Sequence, residues 1–223
     1  MNILTTNVEK KTYISGGKTK GIAFAAAFGA LMAATGGFSI PLIVIPVPIT
    51  FQVFFVYLAG TTGGPVYGAL SIIIYLALGT IGLPVFSGFS GGIAHLLGPT
   101  GGYLFAFPVA TFFAGIIARR AVKDRKREWL QVTLAMLFSL IVVYSIGVTW
   151  LSTYLGISLT QAFVLGALPF IPIDLVKLLI AAPIAIRLRK TLATVLFAEF
   201  SIFVNRNKVY EVTSITELEG LQC

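Results

Sequence analysis

The chain has 223 residues, of which 57% are hydrophobic and only 11% charged, too few charges to coat a water-soluble globule of this size. That excludes a soluble domain and reads as an integral membrane protein. The net charge of +8 is then a topology signal, and a nucleic-acid partner is the less economical explanation.

Residues 1–20 are polar and carry lysines 10, 11, 18 and 20, with no apolar core or small-residue cleavage site, so they read as a cytoplasmic tail. From Gly21 to Ala118 there is no Asp, Glu, Lys or Arg. A hydrocarbon core of about 30 Å asks for roughly 20 apolar residues per helix. By that measure the chain predicts six spans, near Gly21–Phe38, Phe51–Gly63, Val66–Leu83, Gly102–Ala118, Leu130–Leu151 and Pro169–Ile186. The second and third are divided only by Thr61-Thr62-Gly63-Gly64-Pro65, which favours a hairpin of two short spans over one kinked helix. Residues 21–190 form the membrane domain on this reading, and 191–223 return to mixed polarity as a cytoplasmic tail without an assigned role.

Three basic clusters precede the first span, separate the fourth from the fifth (Arg119 to Glu128), and follow the sixth (Arg187, Arg189, Lys190). Six spans put all three on one face, which the positive-inside rule makes cytoplasmic, with both termini inside. The segments Ser39–Thr50, Pro84–Gly101 and Ser152–Pro169 then lie outside as loops. The second is rich in glycine yet apolar, which suits a cap over an outward-facing ligand pocket better than an ordinary re-entrant turn. Phe86, Phe89, Thr100 and Tyr103 bring stacking surface and hydroxyls to it.

Asp174 and Lys177 are the only charged residues between Trp129 and Ile186. A charge at the bilayer centre costs on the order of 3 kcal/mol even on the lenient insertion scale, so the pair marks a functional site by default. Three residues apart on a helix, the two share one face. They either neutralise one another structurally or present an acceptor and a donor to a polar ligand.

The run Gln52-VFFVYLAG, then Gly64-PVYGALSIIIYLALGTIGLPVF-Ser87, Gly91-Gly92, Gly98-PTGGYLFAFPVA and Pro169-FIPIDLVK resembles the biotin-transporter BioY family, in order and spacing, over about Ile22–Lys190. The resemblance implies a six-helix substrate-binding S component of an energy-coupling factor (ECF) transporter. Such a protein binds biotin from outside and joins a transmembrane scaffold, the T component, and two cytoplasmic ATPases that alone use ATP. It carries the family's biotin-contacting Asp and Lys onto Asp174 and Lys177, and the family's turn onto Gly98, Pro99, Thr100, Gly101, Gly102 and Tyr103. Biotin's ureido N–H groups suit Asp174, and its carboxylate or ureido oxygen suits Lys177. Phe86, Phe89 and Tyr103 are expected around the ring, with Gln52 and Tyr75 as polar contributors; packing between helices is an equal alternative for these.

In the first span Ala26, Ala30 and Ala34 repeat at four-residue spacing, as do Ala25, Gly29 and Ala33. Small residues so spaced let helix backbones approach closely. The resemblance makes this face, with Gly29, the docking site for the scaffold, against the alternative of packing inside the chain. His95, the single histidine, reads as a hydrogen-bonding loop residue, because a metal site needs companions and the one cysteine is Cys223. No covalent cofactor is expected. The chain has no Walker-type P-loop, so a transport protein rather than an ATPase is expected, with energy drawn from partners or a gradient. The rival readings are an S component for another vitamin, a self-sufficient transporter, and a retinal Schiff-base protein, which would need seven spans.

Overall fold

The computed structural model describes residues 18–42, 46–119 and 124–192. Lys10, Lys11, Arg120, Lys123, Cys223 and nearly all of both expected tails lie outside the described residues. In order come α1 (Lys18–Gly36), the strands β1 (Ser39–Ile40) and β2 (Ile49–Thr50), α2 (Gln52–Thr80), α3 (Ile93–Leu96), α4 (Gly101–Ala118), α5 (Arg125–Leu155), α6 (Leu159–Gly166) and α7 (Ile171–Leu192). Among the described residues four helices are long and apolar enough to cross a membrane, or five when α6 and α7, bent by 53°, count as one broken span.

That count treats α2 as one helix of 29 residues. Its hydrogen-bonding continuity hides a reversal at Gly64, whose φ of 73° and ψ of −174° are not helical and favour glycine, just before Pro65. In a straight helix Gln52 and Tyr75 would stand about 35 Å apart, at 1.5 Å per residue. Instead the Gln52 Nε2 donates to the Tyr75 hydroxyl at 2.6 Å. A Cβ at Gly68 would lie 2.5 Å from the Ala59 carbonyl oxygen. The halves of α2 therefore lie antiparallel against one another, and glycine is required where they touch.

The same close approach seats α2 on its neighbours. A Cβ at Gly60 would meet the Thr111 carbonyl of α4 at 2.6 Å, and one at Gly115 would meet the backbone of Gly64 and Pro65. Lipid supplies no hydrophobic drive between helices, so this backbone-to-backbone packing is what holds them. The outward apolar side chains, among them Leu130, Leu134, Leu137 and Ile141 of α5 and Val176, Leu179 and Ile180 of α7, are exposed, as a lipid-facing belt requires.

One end of the bundle is basic. Arg189 Nη2 donates to the Ala118 carbonyl at 2.7 Å, Lys190 pairs with Glu128 at 3.3 Å, and Gln131 Nε2 donates to Ile117 O at 2.7 Å. These contacts gather the end of α4, the start of α5 and the end of α7. Gly64 of α2 reaches the same level beside Gly115, and Gly63 lies against Phe24 of α1, four residues past Lys20.

Several expected boundaries are corrected. Ser152–Pro169 is not a loop: α5 runs on to Leu155, and α6 follows with a capping box in which Ser158 accepts from the Gln161 N–H and the Gln161 side chain returns to Ser158. The final helix starts at Ile171 and continues past Ile186 to Leu192. The segment Ser39–Thr50 pairs Ser39 with Thr50 and Ile40 with Ile49, a two-stranded exception to an otherwise helical fold. The Pro84–Gly101 segment carries α3 and a bridge between Phe86 and Ser90.

Candidate ligand site

At the end opposite the basic clusters, α2, α4, α5 and α7 and the segments before α2 and α4 enclose a cavity with about 560 Å³ of empty space, its mouth included. Asp174 and Lys177, one turn into α7, line it together. Asp174 is 4% exposed, and its Oδ1 accepts from Lys177 Nζ at 2.7 Å. Its Oδ2 accepts from the Tyr144 hydroxyl at 2.7 Å. Lys177 Nζ also donates to the Thr50 carbonyl at 2.7 Å, which ties α7 to the end of β2.

An ammonium has three N–H donors, so one of those on Lys177 remains for a ligand, and each Asp174 oxygen keeps a second lone pair. Gln52, Thr100, Ser87 and His95 supply further polar groups to the wall, while Val53, Leu104, Phe107, Val143 and Phe170 supply the apolar surface. The site can therefore hold a molecule with an apolar body and polar ends, one anionic or hydrogen-bond accepting and one donating. Tyr57, fully buried and within electrostatic reach of Asp174, has a hydroxyl with no hydrogen-bond partner among the described residues.

Of the residues expected from sequence, Asp174, Lys177, Gln52, Thr100 and Tyr103 line the cavity. Tyr103 also donates to the Gly166 carbonyl at 2.9 Å, fixing the end of α6 at the site. Tyr75 is fully buried behind Gln52, where its hydroxyl accepts from Gln52 and donates to Val85 O at 3.2 Å. Phe86 does not line the cavity. It is buried edge-on to Tyr75 and stacked on His95, whose ring it holds at 5.1 Å. Phe89 points away: it sits in the turn at φ 53°, is 55% exposed and packs on Phe38. Gly101 and Gly102 serve packing, since a Cβ at either would strike Leu96 O or Trp150.

His95 Nδ1 lies 3.0 Å from Ser90 Oγ and Nε2 lies 3.4 Å from Ser87 Oγ. Burial lowers its pKa from the ordinary histidine value, which keeps the ring neutral at pH 7. It is both the loop hydrogen-bonder expected and a wall of the cavity. Tyr144, Ser87 and Thr50 are site residues that the sequence does not single out. Tyr144 carries a faint signal as the tyrosine that ends the aliphatic run Leu140–Val143, but nothing local says which way it faces.

On the first helix the two small-residue rows separate. Gly29 is buried, with its Cβ position 2.9 Å from Ser71 O of α2, and Ala25 is buried on the same side. That corrects Gly29 as a docking residue, because α2 already occupies its face. Ala26, Ala30 and Ala34 are exposed.

Comparison with known proteins gives a consistent result. The model of the BioY family matches residues 6–194. The chain is 49% identical over 172 residues to a protein of Pyrococcus horikoshii named probable biotin transporter BioY, covering 77% of this chain and 98% of that one. It is 41% identical to the biotin transporter BioY of Thermotoga maritima, covering 73% and 92%. Among solved structures it is similar to the S-component for biotin from an ECF-type ABC transporter, with a TM-score of 0.69 and 36% identity over 78% of this chain and 92% of that one.

Proposed function

The chain belongs to the BioY family, and from that premise we propose that it is the biotin-binding S component of an ECF-type transporter in the cell membrane, taking up biotin from outside. The observation that carries the reading is the Asp174–Lys177 pair at 2.7 Å, buried in the wall of a largely apolar cavity rather than in a helix contact. Lys177 holds the carboxylate of the valerate tail, and Asp174 accepts from the ureido ring. Tyr144 orients Asp174, and Gln52, Thr100, Tyr103 and His95 complete the pocket. The bicyclic ring rests on Leu104, Phe107 and Phe170. Phe86 and Tyr75 act one layer back, by holding His95 and Gln52.

Six crossings with both termini inside are the topology we propose, the halves of α2 counting as two and α6 with α7 as one. The common basic end supports it, since that end then faces the cytoplasm under the positive-inside rule. Transport is driven by partners: a T component and two cytoplasmic ATPases that use the ATP. The T component docks on the exposed row Ala26, Ala30 and Ala34.

Equilibrium binding of labelled biotin to the purified chain tests the reading; absence of binding at micromolar biotin would sink it. For the docking face, Ala30→Leu is expected to abolish copurification with the T component while leaving biotin binding unchanged. Loss of both would mean that this row packs inside the chain.

A further inference from the structure

We propose that the groove between the start of α5 and the end of α7 is a binding site for the phosphate headgroup of an anionic phospholipid. Arg125, Lys126, Arg187 and Lys190 line it around Trp129 and Pro183, with about 1360 Å³ of open space. Among the described residues one carboxylate lines it, Asp124, and it is already engaged: it accepts from the Lys126 N–H as the cap of α5 and pairs with Arg127 at 3.7 Å. Lys190, also on the groove, bridges to Glu128 at 3.3 Å.

The groove is a built feature, because the Arg189–Ala118 and Gln131–Ile117 hydrogen bonds lock the helices that form it. Its two ends differ in chemistry. The charged end carries its own apolar wall, Trp129, Pro183 and Ile186, and the helices that form it go on to exposed Leu130, Leu179 and Ile180. Free phosphate has no use for that wall, whereas acyl chains do. Trp129, 43% exposed beside the arginines, has the placement of an interfacial anchor at headgroup level. Guanidinium forks match phosphate oxygens in pairs, and basic grooves between membrane helices favour anionic headgroups.

The full chain, purified in neutral detergent, is offered equal amounts of phosphatidylglycerol and phosphatidylcholine with the same acyl chains, and retained lipid is counted by native mass spectrometry. Wild type is expected to retain phosphatidylglycerol in preference by about tenfold or more. The variant Arg125→Gln/Lys126→Gln/Arg187→Gln is expected to lose the preference while melting at the wild-type temperature. The charge-matched control Lys18→Gln/Lys20→Gln/Arg127→Gln is expected to keep it. Equal retention of both lipids by wild type, or equal loss in the control, overturns the proposal in favour of general electrostatic attraction. Complete displacement by millimolar inorganic phosphate overturns it in favour of a free-anion site. Carbodiimide cross-linking of Lys126 or Lys190 to Glu211, Glu217 or Glu219 in the presence of phosphatidylglycerol would make the chain's own tail the occupant, and overturns it as well.

Discussion

Asp174→Ala and Lys177→Ala are each expected to weaken biotin binding by a factor of roughly 30 to several thousand, the equivalent of about 2–5 kcal/mol for truncating one partner of a buried, hydrogen-bonded charge pair. Either substitution strands a charge. Among the described residues, the Lys177 ammonium without Asp174 keeps the Thr50 carbonyl alone, and the carboxylate without Lys177 keeps the Tyr144 hydroxyl alone. Stranding a buried charge also destabilises the fold by an amount of order 3–5 kcal/mol, so a loss of binding in a single variant does not by itself distinguish contact from collapse. The neutral double variant Asp174→Asn/Lys177→Met resolves this, because it removes both charges while keeping the shape. It is expected to recover thermal stability close to wild type and to remain unable to bind. A double variant that melts normally and binds biotin normally would reduce the pair to a structural ion pair.

Gly115→Ala is expected to lower stability sharply without touching the cavity. The added methyl meets the backbone of Gly64 and Pro65, with Pro65 Cα at 2.6 Å, and backbone at a helix reversal cannot swing aside as a side chain would. Overpacking of this kind costs about 1–3 kcal/mol. A thermal melt of the purified protein should fall, and biotin at saturating concentration should recover part of the loss, since a ligand that binds only the folded state stabilises it by mass action. Wild-type melting in this variant would mean that α2 and α4 separate more easily than their packing indicates.

The sequence made the charged pair legible because two ionisable groups in an apolar run have no innocuous explanation. Its aromatic and polar neighbours are marked by side-chain chemistry, and chemistry does not give direction. Phe86 and Tyr75 have the right side chains, but Tyr75 faces the partner half of α2 and Phe86 fills the space that Gly79 leaves. Phe89 leaves the site because a turn with positive φ throws its ring outward. Tyr144 was invisible for the opposite reason: a tyrosine in a long apolar helix has no local mark of its facing, and only the register of α5 on α7 brings its hydroxyl to Asp174.

The elements followed the same division. Reversal at Gly64-Pro65 was readable, since those residues admit few conformations. Helix α6 is hard to see in the sequence, although Ser158 and Gln161 stand at capping-box spacing, because an eight-residue helix before Pro169 is too short to register as a span. The separation of Ala30 from Gly29 needed the position of α2, which no repeat in α1 contains.

The reversal in α2 bears on how the protein is made. From Gln52 to Gly63 the chain rises only about 18 Å, against a hydrocarbon thickness of about 30 Å, so lipid alone cannot hold that half across a bilayer. One close neighbour, Phe24 of α1 beside Gly63, comes earlier in the chain, but two come later: Gly60 rests on Thr111, and Gly64 on Gly115. During synthesis this segment has only part of its packing until α4 is made. Assembly of the binding domain is therefore completed out of sequence order, with the second helix settling after the fourth.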